Sequence, residues 1–126
     1  MNIGILGATA KKNKYGYKVL KNLKKRGFDT LYPINPNYEE IEGFKCYDDL
    51  KSIPDKIDLL VFIVPPSVGL RVLRDVSTLG LKNVWFQPGA ESKEIEEFCR
   101  KYNLNYSFYR CIMVADDEEI EKFIKS

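Results

Sequence analysis

The sequence predicts an α/β protein with a parallel sheet covered on both faces. Three observations carry this. Short, continuously apolar runs such as "NIGILG" and "IDLLVFIV" alternate with amphipathic stretches along the whole chain. Strands that are apolar on both sides belong to a buried parallel sheet, whereas half-exposed antiparallel strands alternate. The amphipathic stretches carry helix start and stop residues at the right places.

The elements follow in order. Residues 2–7, "NIGILG", read as a buried strand ending in glycine. Tyr15 to Arg26 read as a helix with Val19, Leu20 and Leu23 inward and Gly27 as its stop. "FDTLYPI" (28–34) is a second strand, with pairing expected to fade near Pro33, which has no N–H to donate. "NPNYEEIEG" has no helical period and reads as a connection. "KCY" (45–47) is at most a short third strand, and "DDLKSIP" a helical turn. "IDLLVFIV" (57–64) is the strongest strand, apolar and β-branched between Asp and Pro. Ser67 is the expected cap of the next helix, with Val68, Val72, Val76 and Leu79 on its inner face and Gly80 as stop. "NVWFQ" (83–87) is another strand, whose Trp85 and Phe86 must face opposite sides of the sheet. Ser92 caps a helix with Ile95, Phe98, Cys99 and Tyr102 on one face. "NYSFY" (105–109) is the last strand, and Asp116 caps a terminal helix with Ile120, Phe123 and Ile124 inward. Right-handed crossovers then give a Rossmann-like, doubly wound, three-layer α/β/α fold, with strand order 3-2-1-4-5-6 if "KCY" is the third strand. At 126 residues with no repeat or linker, one domain over 1–126 is expected.

Composition excludes several functions. There is no histidine, so Ser-His-Asp and Cys-His catalysis and His-containing zinc sites are ruled out, and no metal is expected. No apolar run is long enough to span a membrane. "MNIGILG" has no basic leader, so a secretory signal is not expected. Three cysteines without metal spacing, Cys46, Cys99 and Cys111, fit a reduced cytoplasmic setting and read as packing residues. Residues 1–28 carry eight Lys or Arg and no acid, while the C-terminal end is acidic, so an anion is expected near the first third. The basic helix (Lys18, Lys21, Lys24, Lys25, Arg26) raises nucleic acid as a rival ligand. The acidic C-terminal half leaves no continuous basic face, and nucleic acid is not expected.

In an open parallel sheet a ligand sits beyond the carboxyl ends of the strands, where strand order reverses. The loops that meet there are "GATAKKNKYG", "INPN", "VPPS" and "QPGA". Gly7 permits a tight turn. Ala8, Thr9 and Ala10 leave backbone N–H groups accessible, and the next helix points its positive end at the same place. Gly16 is suited to close helix–strand contact. NAD would require an acid at the end of strand two. Ile34-Asn35-Pro36 stand there, and Asp29 lies about five residues, roughly 16 Å, too early.

"GATAKKNKYGYKVLKNLKKRGF", "YPINPNYEEIEG", "VPPS", "VWFQPGA" and "RCIMV" together resemble the small stand-alone CoA-binding domain proteins. They are more distantly similar to the CoA-binding domain of the succinyl-CoA synthetase α-subunit. The likeness runs from Met1 to about Val114. It implies coenzyme A as ligand, with its phosphates on Gly7, Ala8 and Thr9 and on Lys14 and Tyr15 at the helix start. Asn35 and Pro36 would flank the nucleotide, Val64, Pro65 and Pro66 would line the adenine side, and Gln87 and Pro88 would approach the same cleft. Asn37 stands where relatives commonly have a basic residue. The synthetase's phosphorylated histidine has no counterpart here. The expected function is therefore binding of CoA or an acyl-CoA without chemistry of its own. Alternatives are the CoA-binding subunit of a multi-chain acyl-CoA ligase or transferase, and an NAD(P)-binding switch. A protein partner or a homo-oligomer is compatible with any of these.

Overall fold

The computed structural model describes residues 1–126. Its centre is a five-stranded parallel sheet of β1 (Ile3–Leu6), β2 (Leu31–Ile34), β5 (Leu59–Phe62), β6 (Asn83–Phe86) and β7 (Asn105–Ser107), in the order β2-β1-β5-β6-β7. A two-stranded hairpin, β3 (Glu40–Ile41) and β4 (Phe44–Lys45), lies outside that sheet. The helices are α1 (Tyr15–Lys25), α2 (Pro66–Thr78), α3 (Lys93–Lys101) and α4 (Asp117–Lys125), with a 3-10 turn at Leu50–Ser52.

Side chains alternate across the sheet, as the strand period demands. Ile3, Ile5, Leu59, Val61 and Trp85 pack on one face with Val19, Leu20 and Leu23 of α1 and Ile120 of α4. Leu60, Phe62, Val84 and Phe86 pack on the other with Leu73 and Val76 of α2 and Ile95 and Cys99 of α3. Trp85 and Phe86 thus take opposite faces, both in the core. The fold is the expected three-layer α/β/α sandwich of Rossmann-like type.

Several details differ from expectation. The third strand is reduced to a single parallel bridge between Ile34 and Tyr47. Pairing of β2 does not fade at Pro33, because Ile5 and Leu6 of β1 stay in register with Pro33 and Ile34. The reason is direction. The Pro33 carbonyl faces away from β1 and accepts from the Tyr47 N–H at 2.9 Å, so the missing N–H also faces outward and costs β1 nothing.

The connection after β2 contains the unpredicted hairpin. Its turn, Glu42-Gly43, has φ of 53° and 85°, a conformation that Asn-Gly or Asp-Gly adopt more readily. Glu42 is held there by α1. Its carboxylate accepts from Tyr17 Oη at 3.0 Å and Lys21 Nζ at 2.8 Å, and its carbonyl from Lys24 Nζ. The Lys21 hydrogen bond, followed by that of Tyr17, holds this carboxyl below the usual glutamate range.

Ser67 is not the cap of α2. Pro65 occupies that position and Pro66 follows in the first turn, where a missing N–H is harmless. The inner face of α2 is Gly69, Leu73 and Val76, and Leu79 is exposed. Gly69 lets the helix sit on Phe62, which leaves Val68 and Val72 only partly buried on the wall of a cavity, Val72 still packing at the edge of the core. The other two caps stand as expected, Ser92 Oγ accepting from Ile95 N–H and Asp116 Oδ1 from Glu119 N–H.

Candidate functional site

β1 has β2 on one side and β5 on the other, so the strand order reverses between β1 and β5. The segments leaving those two strands are the β1–α1 turn and the β5–α2 turn. Gly7 turns the chain at φ 95°, with its α-carbon so near β5 that an added Cβ would lie 2.2 Å from the Ile63 carbonyl oxygen. Gly16 sits on the turn from the helix side, where a Cβ would lie 2.0 Å from the Gly7 carbonyl oxygen. The two glycines clamp strand, turn and helix together without side chains between them.

This clamp leaves backbone donors free. The N–H groups of Ala8, Thr9 and Ala10 donate to no acceptor in the protein, nor do those of Tyr15 and Gly16 at the start of α1. Ala8 is completely buried and Thr9 nearly so. Unpaired donors in buried chain are rare in folded proteins. The helices divide the same way. α3 and α4 have side-chain caps and acidic residues in their first turns, whereas α1 and α2, the two that start at the crevice, have neither. Their positive ends are left without an anion from the protein. Lys11, Lys12 and Lys14 are exposed around the turn. Three of the later cations of the basic stretch, Lys21, Lys24 and Arg26, are engaged internally. Lys21 and Lys24 pair with Glu42. Arg26 binds Asp117 and donates to the Ile112 and Ala115 carbonyls.

Two cavities meet at Val64. The first, of about 380 Å³, is walled by Tyr15, Ile63, Val64, Pro65, Gln87, Pro88, Gly89, Ala90 and Cys111. The second, of about 290 Å³, lies on the α2 side. It is bounded by Leu6, Gly7, Ile34, Asn35, Pro36, Leu50, Val64, Val68 and Val72, with Asp48, Asp49 and Asp75. Of the residues expected from sequence, Tyr15, Val64, Pro65, Gln87 and Pro88 line the first cavity, and Gly7, Asn35, Pro36 and Val64 the second. Ala8, Thr9 and Lys14 belong to the turn between them, and Pro66 lines neither.

Some of the expected polar side chains are already occupied. Thr9 Oγ1 lies 3.0 Å from Tyr38 Oη and accepts from Lys11 N–H. Asn35 donates through Nδ2 to the Ala8 carbonyl at 2.8 Å and accepts from Asn37 N–H, so its amide fixes the turn. Gln87 is buried, and its amide holds the last loop by accepting from Ile112 N–H at 2.8 Å and donating to Cys111 Sγ at 3.1 Å. Gln87 thus lines the first cavity and also holds the last loop in place.

Cys111 was expected as a small buried residue, and it is instead half-exposed on the wall of the first cavity. Cys46 and Cys99 are buried as expected, and burial pushes the Cys99 thiol up to about 12 and raises that of Cys46. Thiolate, not thiol, reacts with alkylating agents. Iodoacetamide should therefore modify Cys111 alone in the native protein, as read by intact-mass and peptide mass spectrometry. Equal labelling of Cys99 would refute that assignment of environments. The acids of the second cavity and the Val68–Val72 wall had no readable sequence signal, because an apolar i, i+4 pair on a helix reads as core.

Residues 1–117 match the family profile described as CoA binding domain. The chain belongs to the CoA-binding domain family. Among curated relatives is the ADP-forming acetate–CoA ligase of Methanocaldococcus jannaschii, 34% identical over 91% of this chain but only 17% of the relative. The α subunit of acetate–CoA ligase II of Pyrococcus furiosus is 31% identical over 90% of this chain and 27% of its own length. The chain thus spans less than a third of these relatives. Among solved structures, a conserved hypothetical protein from Pyrococcus furiosus superposes with a TM-score of 0.87 at 49% identity, covering 91% of this chain and 98% of that one. An acetyl-coenzyme A synthetase of Ca. Korarchaeum cryptofilum, in complex with phosphate and ADP, gives a TM-score of 0.72 at 31% identity. That match covers 83% of this chain and 25% of the synthetase. No helix is long and apolar enough to cross a membrane.

Proposed function

We propose that residues 1–126 act as one unit that binds coenzyme A, or an acyl-CoA, across the carboxyl ends of β1 and β5. The observation that carries this reading is the run of unpaired N–H groups at Ala8, Thr9, Ala10, Tyr15 and Gly16, facing an uncapped helix start. A pyrophosphate supplies the acceptors and negative charge that this turn lacks. Lys14, with Lys11 and Lys12, adds exposed positive charge beside it. Asn35 and Pro36 flank the nucleoside, and Val64 divides it from the pantetheine arm. That arm follows Tyr15, Pro65, Gln87 and Pro88 toward Cys111. Pro66 contributes by fixing the start of α2.

Neither cavity holds a paired acid and base or an activated nucleophile, so the chain is read as a holder of the cofactor and not as a catalyst, and its three free cysteines fit a cytoplasmic setting. The name of the Pyrococcus furiosus relative, an α subunit of a ligase, supports a second reading in which a partner chain completes an enzyme. Mass spectrometry of ligand retained on the purified protein, followed by calorimetry, tests the first reading. Coenzyme A should bind and NAD should bind more weakly. Tighter binding of NAD, or binding of neither, would overturn it. Co-purification of a larger nucleotide-binding chain would favour the second reading.

A further inference from the structure

The second cavity carries a preference that the sequence conceals. A nucleoside whose pyrophosphate sits on the first βα turn places its ribose near the end of the second strand, here Ile34-Asn35-Pro36. No acid is present in that segment, but the Ile34–Tyr47 bridge brings the next residues, Asp48 and Asp49, to the same wall. Asp75 comes from α2. The surrounding charges are few. Lys51 Nζ lies 3.4 Å from Asp75 and offsets it. Asp49 Oδ1 accepts from the Ser52 N–H and hydroxyl, the hydroxyl bond being the larger cause of its lowered pKa. Lys45 lies over the Tyr47 ring. The Asp48 carboxylate is exposed and has no partner within the protein.

Neither cavity wall includes a Lys or Arg. The lysines of the first turn lead into α1, which packs on the opposite face of the sheet from α2 and Leu50. Asn37, the residue after Asn35-Pro36, is neutral, and its N–H is bound to Asn35 Oδ1 at 2.9 Å.

From this placement we infer that the nucleoside cavity selects against a phosphate on the ribose. Its preferred occupant is a ligand of the CoA class with free ribose hydroxyls donating to Asp48, as in dephospho-CoA, and the pantetheine arm in the first cavity is what sets that ligand apart from NAD. The inference rests on the CoA-binding reading and narrows it. A carboxylate accepts hydrogen bonds from both hydroxyls of an unmodified ribose. It repels a 3′-phosphate, which carries close to two negative charges near neutral pH.

Calorimetry with CoA and with dephospho-CoA, at low and at moderate salt, tests it. Dephospho-CoA should bind at least as tightly as CoA, and its advantage should shrink as salt screens the repulsion. Asp48→Asn should move the preference toward CoA by about three- to tenfold, and Asn37→Lys should move it in the same direction. Both positions are exposed, and circular dichroism would verify that each variant is folded. CoA binding tenfold tighter than dephospho-CoA to the unaltered chain, or a preference that neither substitution moves, would overturn the inference while leaving CoA binding intact. Binding of neither compound would overturn both the inference and the reading beneath it.

Discussion

Gly16→Ala should destabilise the protein by about 2 kcal/mol or more, although the substitution falls in a helix, where alanine normally gains about 1 kcal/mol over glycine. The sign is reversed by one contact. A methyl group at Gly16 would lie 2.0 Å from the Gly7 carbonyl oxygen and 3.2 Å from the Ala8 α-carbon. Both are backbone atoms of a turn that β5 already holds from the other side, so neither can yield without moving the sheet. Overpacking of this kind costs about 1–3 kcal/mol and sometimes more. The displaced turn would also misplace the free N–H groups, so ligand affinity should fall with stability. Gly69→Ala is the internal comparison. Its methyl would meet only the Phe62 ring, at 3.3 Å, and the Ile95 side chain, at 3.7 Å. Side chains can shift by a few tenths of an ångström, and this variant should stay within about 1 kcal/mol of the unaltered protein. Urea denaturation of the pair decides the matter. A Gly16→Ala variant as stable as the parent would show that the helix–turn contact is not a constraint.

Trp85→Ala should cost about 3–5 kcal/mol, the range for deleting a large buried aromatic side chain. Trp85 is 2% exposed, and its ring meets Phe123 edge-on at 5.1 Å. Its Nε1–H donates to the Arg110 carbonyl at 2.7 Å. The residue therefore supports both the terminal helix and the loop that carries Cys111. Trp85→Phe separates the two roles. It keeps most of the packing but leaves the Arg110 carbonyl without its donor, for a loss of roughly 1–3 kcal/mol. Because Trp85 is the sole tryptophan, unfolding of both variants should be followed by circular dichroism. Iodoacetamide labelling of Cys111 should quicken in Trp85→Ala as the loop loosens. A loss below 1 kcal/mol would contradict the packing described for β6.

The layered fold was legible in the sequence because the central strands β1 and β5 are continuous apolar runs and each main helix has a one-sided apolar face. Gly7, Gly16 and the positions of the four crevice loops followed from the same reasoning. The parts that were not legible depend on contacts between distant segments. The β3–β4 hairpin turns on Glu42, a poor residue for its backbone conformation, and three side chains of α1 stabilise it there. The orientation of α2 depends on Gly69 approaching Phe62, which no periodicity records. The acid beside Asn35 and Pro36 on the second cavity is Asp48, delivered by one bridge pair and not by β2 itself. The hydrogen bonds of Gln87 leave no local signal, because its partners, Cys111 and Ile112, are 24 and 25 residues away in sequence.

The outward direction of Pro33 has a consequence for self-association. β2 is a border of the main sheet, the kind of place where another molecule's strand can add and begin aggregation. Here the border offers little to a newcomer. Pro33 has no hydrogen to donate, its carbonyl is taken by Tyr47, and the neighbouring Asn35 N–H is taken by the Tyr47 carbonyl. The opposite border, β7, is only three residues long. A crowded solution of this protein therefore meets sheet margins that are blunted on one side and brief on the other, and growth by strand addition has no template of useful length.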